Sequence, residues 1–286
     1  MIRDHLLRGF LTCAALLSLL SVTAPAWAQQ PKSQEQVERE LGSLAWQRGP
    51  TEGRIGSLAT IKVPEGQAFL DAANTRRFLE LNGNPPRDNR YALVAEDLSW
   101  FAIFFFEETG YVKDDEKLDA EALLKTMQEA EGRSNKERQR LGMGALYTEG
   151  WHVRPHYDLS TRRLEWGVRL RTESGQHLVN YSIRLLSRRG VMHVILVSEP
   201  EQLNHDIGVF KGSLANYAFV PGERYSEFRS GDRIAEYGLG ALVLGGAAAV
   251  AVKSGAGKGL LKMLIYGGIA AGGGLLAFFR KLGRRE

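Results

Sequence analysis

Apolar and polar residues alternate most regularly between residues 151 and 198, in four short consecutive segments. In the first segment, polar side chains separate Trp151 from Val153, and in the second, residues 163–171, every second residue is Leu, Trp or Val. A period of two is typical of a strand with one buried and one solvated face. The fourth segment, residues 191–197, is apolar on both faces, which indicates a strand in the sheet interior. The pattern therefore predicts a four-stranded antiparallel meander.

Helical periodicity follows this meander and also occurs before it. A helix from Pro200 to about Tyr217 is predicted to cover the apolar face of the sheet with one stripe of side chains, namely Leu203, Ile207, Phe210 and Leu214. Upstream, the pattern predicts a strand at 57–63, a helix from Pro64 to Leu81, strands at Tyr91–Ala95 and Trp100–Glu107, a helix capped by Asp119, and a charged helix at Ser134–Leu141. These elements predict an α+β domain with helices packed on one face of an antiparallel sheet.

Both ends of the chain are apolar. Residues 1–28 are typical of a cleaved signal peptide, with a basic start, an apolar core at Leu11–Val22 and a small-x-small site at Ala26-Trp27-Ala28. The one cysteine of the chain, Cys13, lies in this segment, so the mature protein would contain no thiol. At the other end, residues 237–279 are dominated by Ala, Gly, Leu, Val and Ile.

The apolar C-terminal region divides into two segments, 236–252 and 260–279, which we expect to form a transmembrane helical hairpin. Small residues at a spacing of four would let its helices pack closely, at Gly245, Ala249, Gly268 and Gly272. At the membrane entry, Asp232 and Glu236 suit the positive end of the first helix, and Tyr237 suits the interface.

The predicted organisation has five parts. They are a signal peptide (1–28), a flexible linker (29–54), an exported α+β domain (55–230), the hairpin (231–279) and a basic tail (280–286). Positive charge is concentrated at the membrane end, because residues 253–286 carry seven basic groups against one acidic group, whereas residues 29–252 carry 28 against 31. The basic composition is therefore no sign of nucleic-acid binding. We expect membrane lipids as partners, and a bacterial inner-membrane protein whose main domain faces the periplasm.

The path of the C-terminal region through the membrane has two solutions. Two spans would leave the four basic residues of the tail at 280–286 outside, although the positive-inside rule favours the cytoplasm for them. A single span at 260–279 would place the tail in the cytoplasm, with the Ala/Gly-rich segment re-entrant or packed at the surface. The presence of two apolar segments favours the two-span solution.

The best candidate for metal binding lies in the first two strands of the meander. With residues 159–162 as the turn, His156 is predicted to lie opposite Glu165, with Asp158 two residues further along the same face. His152 cannot share the ion without a bulge, because residues four apart on a regular strand are about 13 Å apart. His156, Asp158 and Glu165 are thus weak candidates. Cross-strand ion pairs explain them more simply, so neither a metal nor another cofactor is predicted.

The polar face of the meander is rich in arginine. Five of these side chains are candidates for contact with a protein partner or with lipid headgroups, through bidentate hydrogen bonds: Arg154, Arg163, Arg169, Arg171 and Arg184. The alternative is an ordinary solvated surface. Its charge would be balanced by residues 91–131, which hold eleven acidic and three basic groups.

The chain has no complete catalytic motif. Lys253–Gly259 resembles a phosphate-binding loop, but Val252 stands where that loop needs its first glycine, and Gly259 stands where it needs Ser or Thr. No Gly-x-Ser-x-Gly elbow is present, and Ser198 and His205 suggest no triad. The sequence therefore favours a protein that is not an enzyme.

Five short stretches carry a family resemblance, namely Gly110–Lys117 (GYVKDDEK), His156-Tyr157-Asp158, Asn180-Tyr181, Ala235–Leu239 and Gly245–Ala249. With them the chain resembles a bacterial family of predicted membrane-anchored proteins, domain of unknown function 2167, over roughly residues 50–282. The resemblance implies an exported, membrane-anchored protein without an established activity, and it transfers no catalytic residue. The meander and helix at 151–217 also look like the accessory domains of the PsbP type.

Three hypotheses about function follow. The leading one is a membrane-anchored protein of the cell envelope, whose periplasmic domain is a non-enzymatic interaction or scaffold module. The alternative is a membrane-tethered hydrolase or metal-dependent enzyme using His156, Asp158 and Glu165. The third is a subunit of a membrane assembly, such as a homo-oligomer, that uses the glycine-rich hairpin for contact.

Overall fold

The computed structural model describes residues 33–245, apart from 83, 85 and 141–143. Its helices are α1 (Gln34–Gly42), α2 (Ala72–Leu81), α3 (Ala120–Arg140), α4 (Leu203–Leu214) and α5 (Leu239–Leu244). Its strands are β1 (Gln47–Arg48), β2 (Thr51–Ile55), β3 (Ala59–Val63), β4 (Gln67–Leu70), β5 (Tyr91–Ala95), β6 (Trp100–Glu107), β7 (Leu146–Asp158), β8 (Arg163–Thr172), β9 (His177–Leu186), β10 (Val191–Ser198) and β11 (Tyr217–Phe219). A short 3-10 helix covers Tyr225–Glu227.

Eight strands form one antiparallel sheet, in the order β1-β4-β5-β6-β10-β9-β8-β7. The predicted meander is confirmed, because β7 to β10 pair consecutively. β10 lies between β9 and β6, and seven of its eight residues are buried, as its apolar sequence predicted. The predicted strands at 91–95 and 100–107 are confirmed as β5 and β6. A separate three-stranded sheet has the order β11-β3-β2.

Both faces of the large sheet are covered. On one, the α4 face, the small sheet and α4 enclose a core with the middle strands of the large sheet. On the other, the α3 face, α3 and α5 pack on β8, while α1 and α2 pack on β4, β5 and β6. Residues paired in register share a face, so Ile195 and Trp166 lie on the same face through their common neighbour Ser182.

The prediction that helices occupy one face is therefore wrong. The predicted apolar face was the one that carries Trp166, and α4 does not cover that face. Three residues of the apolar stripe of α4 are buried and Ile207 is partly buried, and Phe210 contacts the rings of Trp100 and Phe104. This contact lies on the opposite face, however. The alternation in β8 suggested a wet face, but residues 164–168 are all buried. The polar positions Arg163 and Glu165 of β8 contact α4, a helix that is distant in sequence.

The region assigned to a flexible linker is part of the fold from Ser33 onward. Ser33 and Gln36 form a capping box at the start of α1. β1 pairs with β4, and β2 pairs with β3. Trp46 donates a hydrogen bond to the Leu41 carbonyl oxygen and packs edge-on against Phe78. The polar sequence hides these strands because both lie at sheet edges, where few side chains are buried.

Two helices differ from their predicted bounds. The helix expected from residue 64 is preceded by β4, whose four residues are all buried between β1 and β5. Asp71 then caps α2 by accepting a hydrogen bond from the Asn74 N–H. α3 runs unbroken through a region where two helices were expected. Asn135 holds its second half to β7, through reciprocal hydrogen bonds with the backbone of Leu146.

Among the described residues, no helix is both long and apolar enough to cross a membrane. Several predictions fall outside the described residues, namely the signal peptide at 1–28, the apolar segment at 260–279, the packing residues Ala249, Gly268 and Gly272, and the basic tail at 280–286. They remain predictions from the sequence.

Candidate functional site

Glu165 is a buried carboxylate at the centre of a polar cluster on the α4 face, only 5% exposed. It accepts a hydrogen bond from the Tyr181 hydroxyl at 2.8 Å and another from Lys211 Nζ at 2.6 Å. His156 Nδ1 lies 3.3 Å from Glu165 Oε1. We call these four residues the Glu165 cluster. Because they come from β7, β8, β9 and α4, the cluster joins three strands to the helix that covers them.

The charges of the Glu165 cluster stabilise one another. Burial, reinforced by the charge of Glu165, raises the pKa of the Tyr181 hydroxyl, which therefore remains a hydrogen-bond donor. Arg163 adds positive charge nearby and donates a hydrogen bond to the last carbonyl of α4 at 2.9 Å. These donors offset the cost of burying a carboxylate. The arrangement fixes α4 on the sheet and leaves the ring of His156 exposed to solvent.

The structure brings together two of the three candidate metal ligands. His156 lies opposite Glu165 and Asp158 lies opposite Arg163, so the predicted register is confirmed. Asp158, however, accepts hydrogen bonds from the hydroxyl and the backbone N–H of Ser160, at 2.7 and 2.8 Å, which lower its pKa to about 2. Within the described ranges, no group of three His, Cys, Asp or Glu side chains could hold a metal ion. Asp158 acts here as a turn residue.

Bulges in β7 separate polar residues that a regular strand would place on one face. The register of β7 against β8 shifts at three points between residues 148 and 156. A shift of one residue moves the following side chains to the other face. His152 contacts Asn204 of α4 at 2.9 Å, whereas Arg154 pairs at 2.5 Å with Glu121, which belongs to α3 on the opposite side. The prediction of one polar face is therefore wrong for Arg154.

The candidate contact arginines differ in how accessible they are. Arg169 is exposed and forms no salt bridge with another described residue. Arg154 is exposed but paired, and Arg171 lies 3.4 Å from the carboxylate of Glu149. Arg163 is half-buried beside the Glu165 cluster. Among these four, Arg169 is thus the most available to a partner.

Arg184, the fifth candidate, is buried and cannot contact a partner in this structure. It lies opposite Leu164, on the α3 face, and is only 2% exposed. Its guanidinium carbon lies 4.7 Å from the centre of the Trp166 ring. Burial lowers the pKa of Arg184 to about 9. The alternation along β9 was too irregular to show that this arginine faces the core.

A second polar cluster, absent from the sequence interpretation, surrounds Arg184. His193 lies opposite Arg184 and 3.0 Å from the carboxylate of Glu107, and the ring of Phe105 stacks on it at 4.5 Å between centroids. Burial, and then the charge of Arg184, lowers the pKa of His193 to about 4. The close contact with His193 lowers the pKa of Glu107. The available signal was a histidine within the otherwise apolar strand β10.

Ser198, Asp206 and His205 are in contact, but in an order unsuited to nucleophilic catalysis. The Ser198 hydroxyl donates a hydrogen bond to Asp206 at 2.5 Å, and His205 Nδ1 lies 3.1 Å from the other carboxylate oxygen. In a catalytic triad, the histidine stands between the acid and the serine and takes the serine proton. Here the carboxylate stands in the middle, so His205 cannot activate Ser198.

The loop at 110–117 binds the segment that leads into the apolar C-terminal region. Tyr111 N–H donates to the Arg233 carbonyl oxygen at 2.8 Å, and Ala235 N–H donates to the Tyr111 carbonyl oxygen at 2.9 Å. Gly110 has a φ of +92°, and a Cβ at this position would lie 2.8 Å from the Arg233 carbonyl oxygen. The close approach of the two segments therefore requires glycine.

Farther along this loop, Glu116 caps α5. Its carboxylate accepts a hydrogen bond from the Gly240 N–H at 3.0 Å, which satisfies a free donor and places negative charge at the positive end of the helix. A Cβ on Gly238 would lie 2.2 Å from the same carboxylate. Fully buried side chains hold α5 in the core on the α3 face, through Leu239, Leu242 and Val243.

Asp114 connects the same loop to the β7–β8 turn. It accepts hydrogen bonds from the Tyr157 hydroxyl at 2.9 Å and from the Arg162 guanidinium. Partial burial raises the pKa of Asp114, but the hydrogen bond from Tyr157 and the charge of Arg162 outweigh it, so the pKa is lowered. Tyr225 in turn stacks on Tyr111 at 4.4 Å between ring centroids.

Asp232 does not cap a helix as predicted. It accepts two hydrogen bonds from Arg188, both at 2.7 Å, and a third from the Arg229 N–H. The hydrogen bond from Arg188 is the main reason that the pKa of Asp232 falls to about 2. Asp232 thus fastens the segment before α5 to the β9–β10 turn.

The first predicted membrane segment also differs from the structure. Glu236 is exposed, and Tyr237 packs against the core on the α3 face. α5 starts only at Leu239 and stops at Gly245, whose φ of +120° does not continue a helix. Residues 236–245 are therefore part of the folded domain, and Gly245 ends a helix instead of packing in the middle of one.

The fold and these contacts define an α+β protein whose C-terminal apolar region begins inside the domain. The model of the family described as "Protein of unknown function (DUF2167)" matches residues 47–276, and the chain belongs to this family. The comparison with curated proteins gives no match. Among solved structures, the solution structure of cyanobacterial PsbP (CyanoP) from Synechocystis sp. PCC 6803 is similar, with 10% identity and a TM-score of 0.33, over 59% of this chain and 96% of that chain. A similarity of this size has no bearing on function.

Proposed function

We propose that this protein is a non-enzymatic interaction or scaffold protein of the bacterial cell envelope, anchored in the inner membrane with its domain in the periplasm. One observation carries the proposal. Three of the stretches that resemble the family, Gly110–Lys117, His156–Asp158 and Ala235–Leu239, meet beside α5. Their polar groups contact one another and the backbone of this junction. They serve to hold the start of the apolar region rather than to surround a reactive group.

The burial of α5 supports a single membrane span. Residues 239–244 pack against α3 and are therefore not available for a membrane crossing. A crossing needs about 20 residues, and what remains of the first apolar segment is shorter than this. In the sequence, residues 260–279 retain this length. One span after a cleaved signal peptide places the basic tail at 280–286 in the cytoplasm, in agreement with the positive-inside rule. The proposal therefore replaces the two-span hairpin with one span.

Reporter fusions test the topology. Alkaline phosphatase, which becomes active only in the periplasm, or green fluorescent protein is fused after Glu286 of the full chain. We expect fluorescence without phosphatase activity at this position. Phosphatase inserted in the exposed turn at Ser174–Gly175 should be active. Phosphatase activity after Glu286 would restore the two-span path, and inactivity at the turn would contradict a periplasmic domain.

Photocrosslinking tests the interaction role. A photoreactive residue is placed at Arg169, the most available of the candidate arginines, and at exposed Glu173 as a control on the same edge of the domain. We expect a discrete adduct from position 169 in living cells. Adducts identical to those from position 173 would contradict a specific partner at this surface.

A membrane-tethered hydrolase is the alternative, and one contact favours it. His156, which is exposed, lies 3.3 Å from the buried carboxylate of Glu165, and such a pair can act in general acid–base catalysis. An activity lost in both His156→Gln and Glu165→Gln, with the unfolding transition of the His156 variant unchanged, would favour the enzyme. A stoichiometric transition metal in the purified protein would favour its metal-dependent form.

A further inference from the structure

We propose that one end of the large sheet lies against the bilayer surface, an inference that rests on the proposed membrane anchoring. We call this surface the apolar end and define it by Leu159, Phe228 and Ile234. In the described part of the chain, the exposed large hydrophobic side chains are these three, at 63%, 38% and 47% exposure, together with Val209 at 38% on α4. Single exposed apolar residues are ordinary. Three exposed apolar side chains at one end of the molecule, however, need a physical explanation.

Phe228 and Ile234 are joined through Tyr111, and a chain of ring contacts leads from Tyr111 to the turn that carries Leu159. The Phe228 ring lies 4.3 Å from the ring of Tyr111, and Ile234 forms a parallel β-bridge with the same tyrosine. Tyr111 stacks on Tyr225. The guanidinium of Arg162 lies 5.1 Å from the Tyr225 ring and belongs to the turn that carries Leu159. The apolar end thus combines stacked tyrosine rings with three exposed apolar side chains.

The charges around the apolar end suit lipid headgroups. Arg229 and Arg233 directly flank Phe228 and Ile234, and both are exposed without a salt bridge to another described residue. Three nearby acids, Asp114, Glu223 and Asp232, are each paired with an arginine, whereas Glu227 accepts hydrogen bonds from backbone N–H groups. Cations beside apolar and aromatic side chains are typical of a membrane interface. Asp115 and Glu236 are exposed acids in the same region, so the dependence on anionic lipid should be modest.

The chain beyond the described residues identifies the bilayer as the occupant. Ile234 precedes by five residues the helix α5, after which the apolar region continues. Fourteen residues, 246–259, separate the end of the described domain from the predicted span. Even fully extended, they reach at most about 50 Å, so the domain cannot leave the membrane surface by more than this distance. A surface of this chemistry held so close to lipid is best explained by contact with the headgroup region.

Spin labels test this surface in the full chain. Cys13 is replaced by Ser, and single cysteines are introduced as Phe228→Cys, Ile234→Cys and, as the matched control, Val209→Cys. Each labelled protein is reconstituted in phosphatidylcholine vesicles containing phosphatidylglycerol. We expect the labels at 228 and 234 to collide more with oxygen and several-fold less with a water-soluble nickel complex than the label at 209. Because positions 228 and 234 are labelled in separate proteins, one of them can still report on the surface if the other variant misfolds.

The outcomes separate this inference from the anchoring on which it rests. Extraction of the protein from membranes by alkaline carbonate would contradict the anchoring itself. Resistance to extraction, with all three labels equally accessible to the nickel complex, would leave the anchor intact and overturn the lipid-facing surface. Labels shielded from both reagents, with dipolar broadening between chains, would also overturn it and assign the apolar end to a contact between two copies.

Discussion

The carboxylate of Glu116 accepts a hydrogen bond at 3.0 Å from the backbone N–H of Gly240, a residue 124 positions further along the chain. It is the cap of a helix supplied by a distant loop, since Gly238 at the N-cap position provides no side chain. The glycine is needed there because a Cβ would lie 2.2 Å from the same carboxylate. The junction between the domain and its apolar C-terminal region therefore depends on both residues.

Glu116→Ala should lower the free energy of unfolding by about 0.5–2 kcal/mol, the usual cost of losing a helix cap. Its neighbour Asp115 is exposed and supplies the matched control, Asp115→Ala, which should change stability by less than about 0.5 kcal/mol. Chemical denaturation of the detergent-solubilised chain, followed by tryptophan fluorescence, measures both. Equal effects of the two variants would argue against the cap.

Leu242→Ala should destabilise the domain by about 2–5 kcal/mol, because the side chain is fully enclosed in the core that α5 forms with α3. Leu159→Ala removes the same atoms from a residue that is 63% exposed and should cost almost nothing. If Leu242→Ala had as little effect as Leu159→Ala, α5 would not be part of the folded domain. This result would favour the topology with two membrane spans.

The Glu165 cluster should couple more strongly than a surface ion pair. A double-mutant cycle with Glu165→Gln and Lys211→Met is expected to give a coupling of about 1–3 kcal/mol, since the carboxylate is buried while Lys211 is partly exposed. The exposed pair Arg154–Glu121 is the control, with about 0–1 kcal/mol expected for Arg154→Met and Glu121→Gln. Similar couplings in the two cycles would show that the cluster does not fix α4.

His193 should make stability depend on pH in the weakly acidic range. Its folded-state pKa is about 4, below the value of about 6.5 for an unfolded histidine. Between these values the unfolded chain binds a proton that the folded protein excludes. The free energy of unfolding is therefore at its full value above about pH 6.5 and falls as the pH decreases towards about 4.

His193→Gln should flatten this part of the pH profile. Denaturation curves at several pH values measure the slopes. The lowered pKa of Glu107 adds a loss in the same direction, but only at lower pH, where carboxylates titrate. A wild-type slope retained in His193→Gln would refute the assignment to this residue.

The register of β7 and β8 next to their connection was predictable because a short turn sets it. With residues 159–162 as the turn, His156 had to lie opposite Glu165, and the structure confirms this pairing. The other half of the Glu165 cluster was not predictable. Tyr181 and Lys211 reach the carboxylate from β9 and α4, and nothing in the local pattern of β8 indicates that a helix covers its polar positions.

The errors have a common physical origin. Alternation describes a strand in isolation, so it cannot show bulges such as those that turn Arg154 towards α3, nor a second covering layer such as the one that buries Arg184. Edge strands with few buried side chains, such as β1 and β2, give no signal at all and were interpreted as a linker.

By itself the sequence determined that the chain has an antiparallel meander, a central apolar strand and an amphipathic helix after it. Each of these elements follows from the spacing of apolar and polar residues that are close in sequence. It also supported membership of the family through short contiguous stretches. The tertiary structure alone decided which face each helix covers, which charges are buried, and that residues 236–245 belong to the domain. These properties depend on contacts between segments as distant as Glu116 and Gly240, and local spacing carries no information about such contacts.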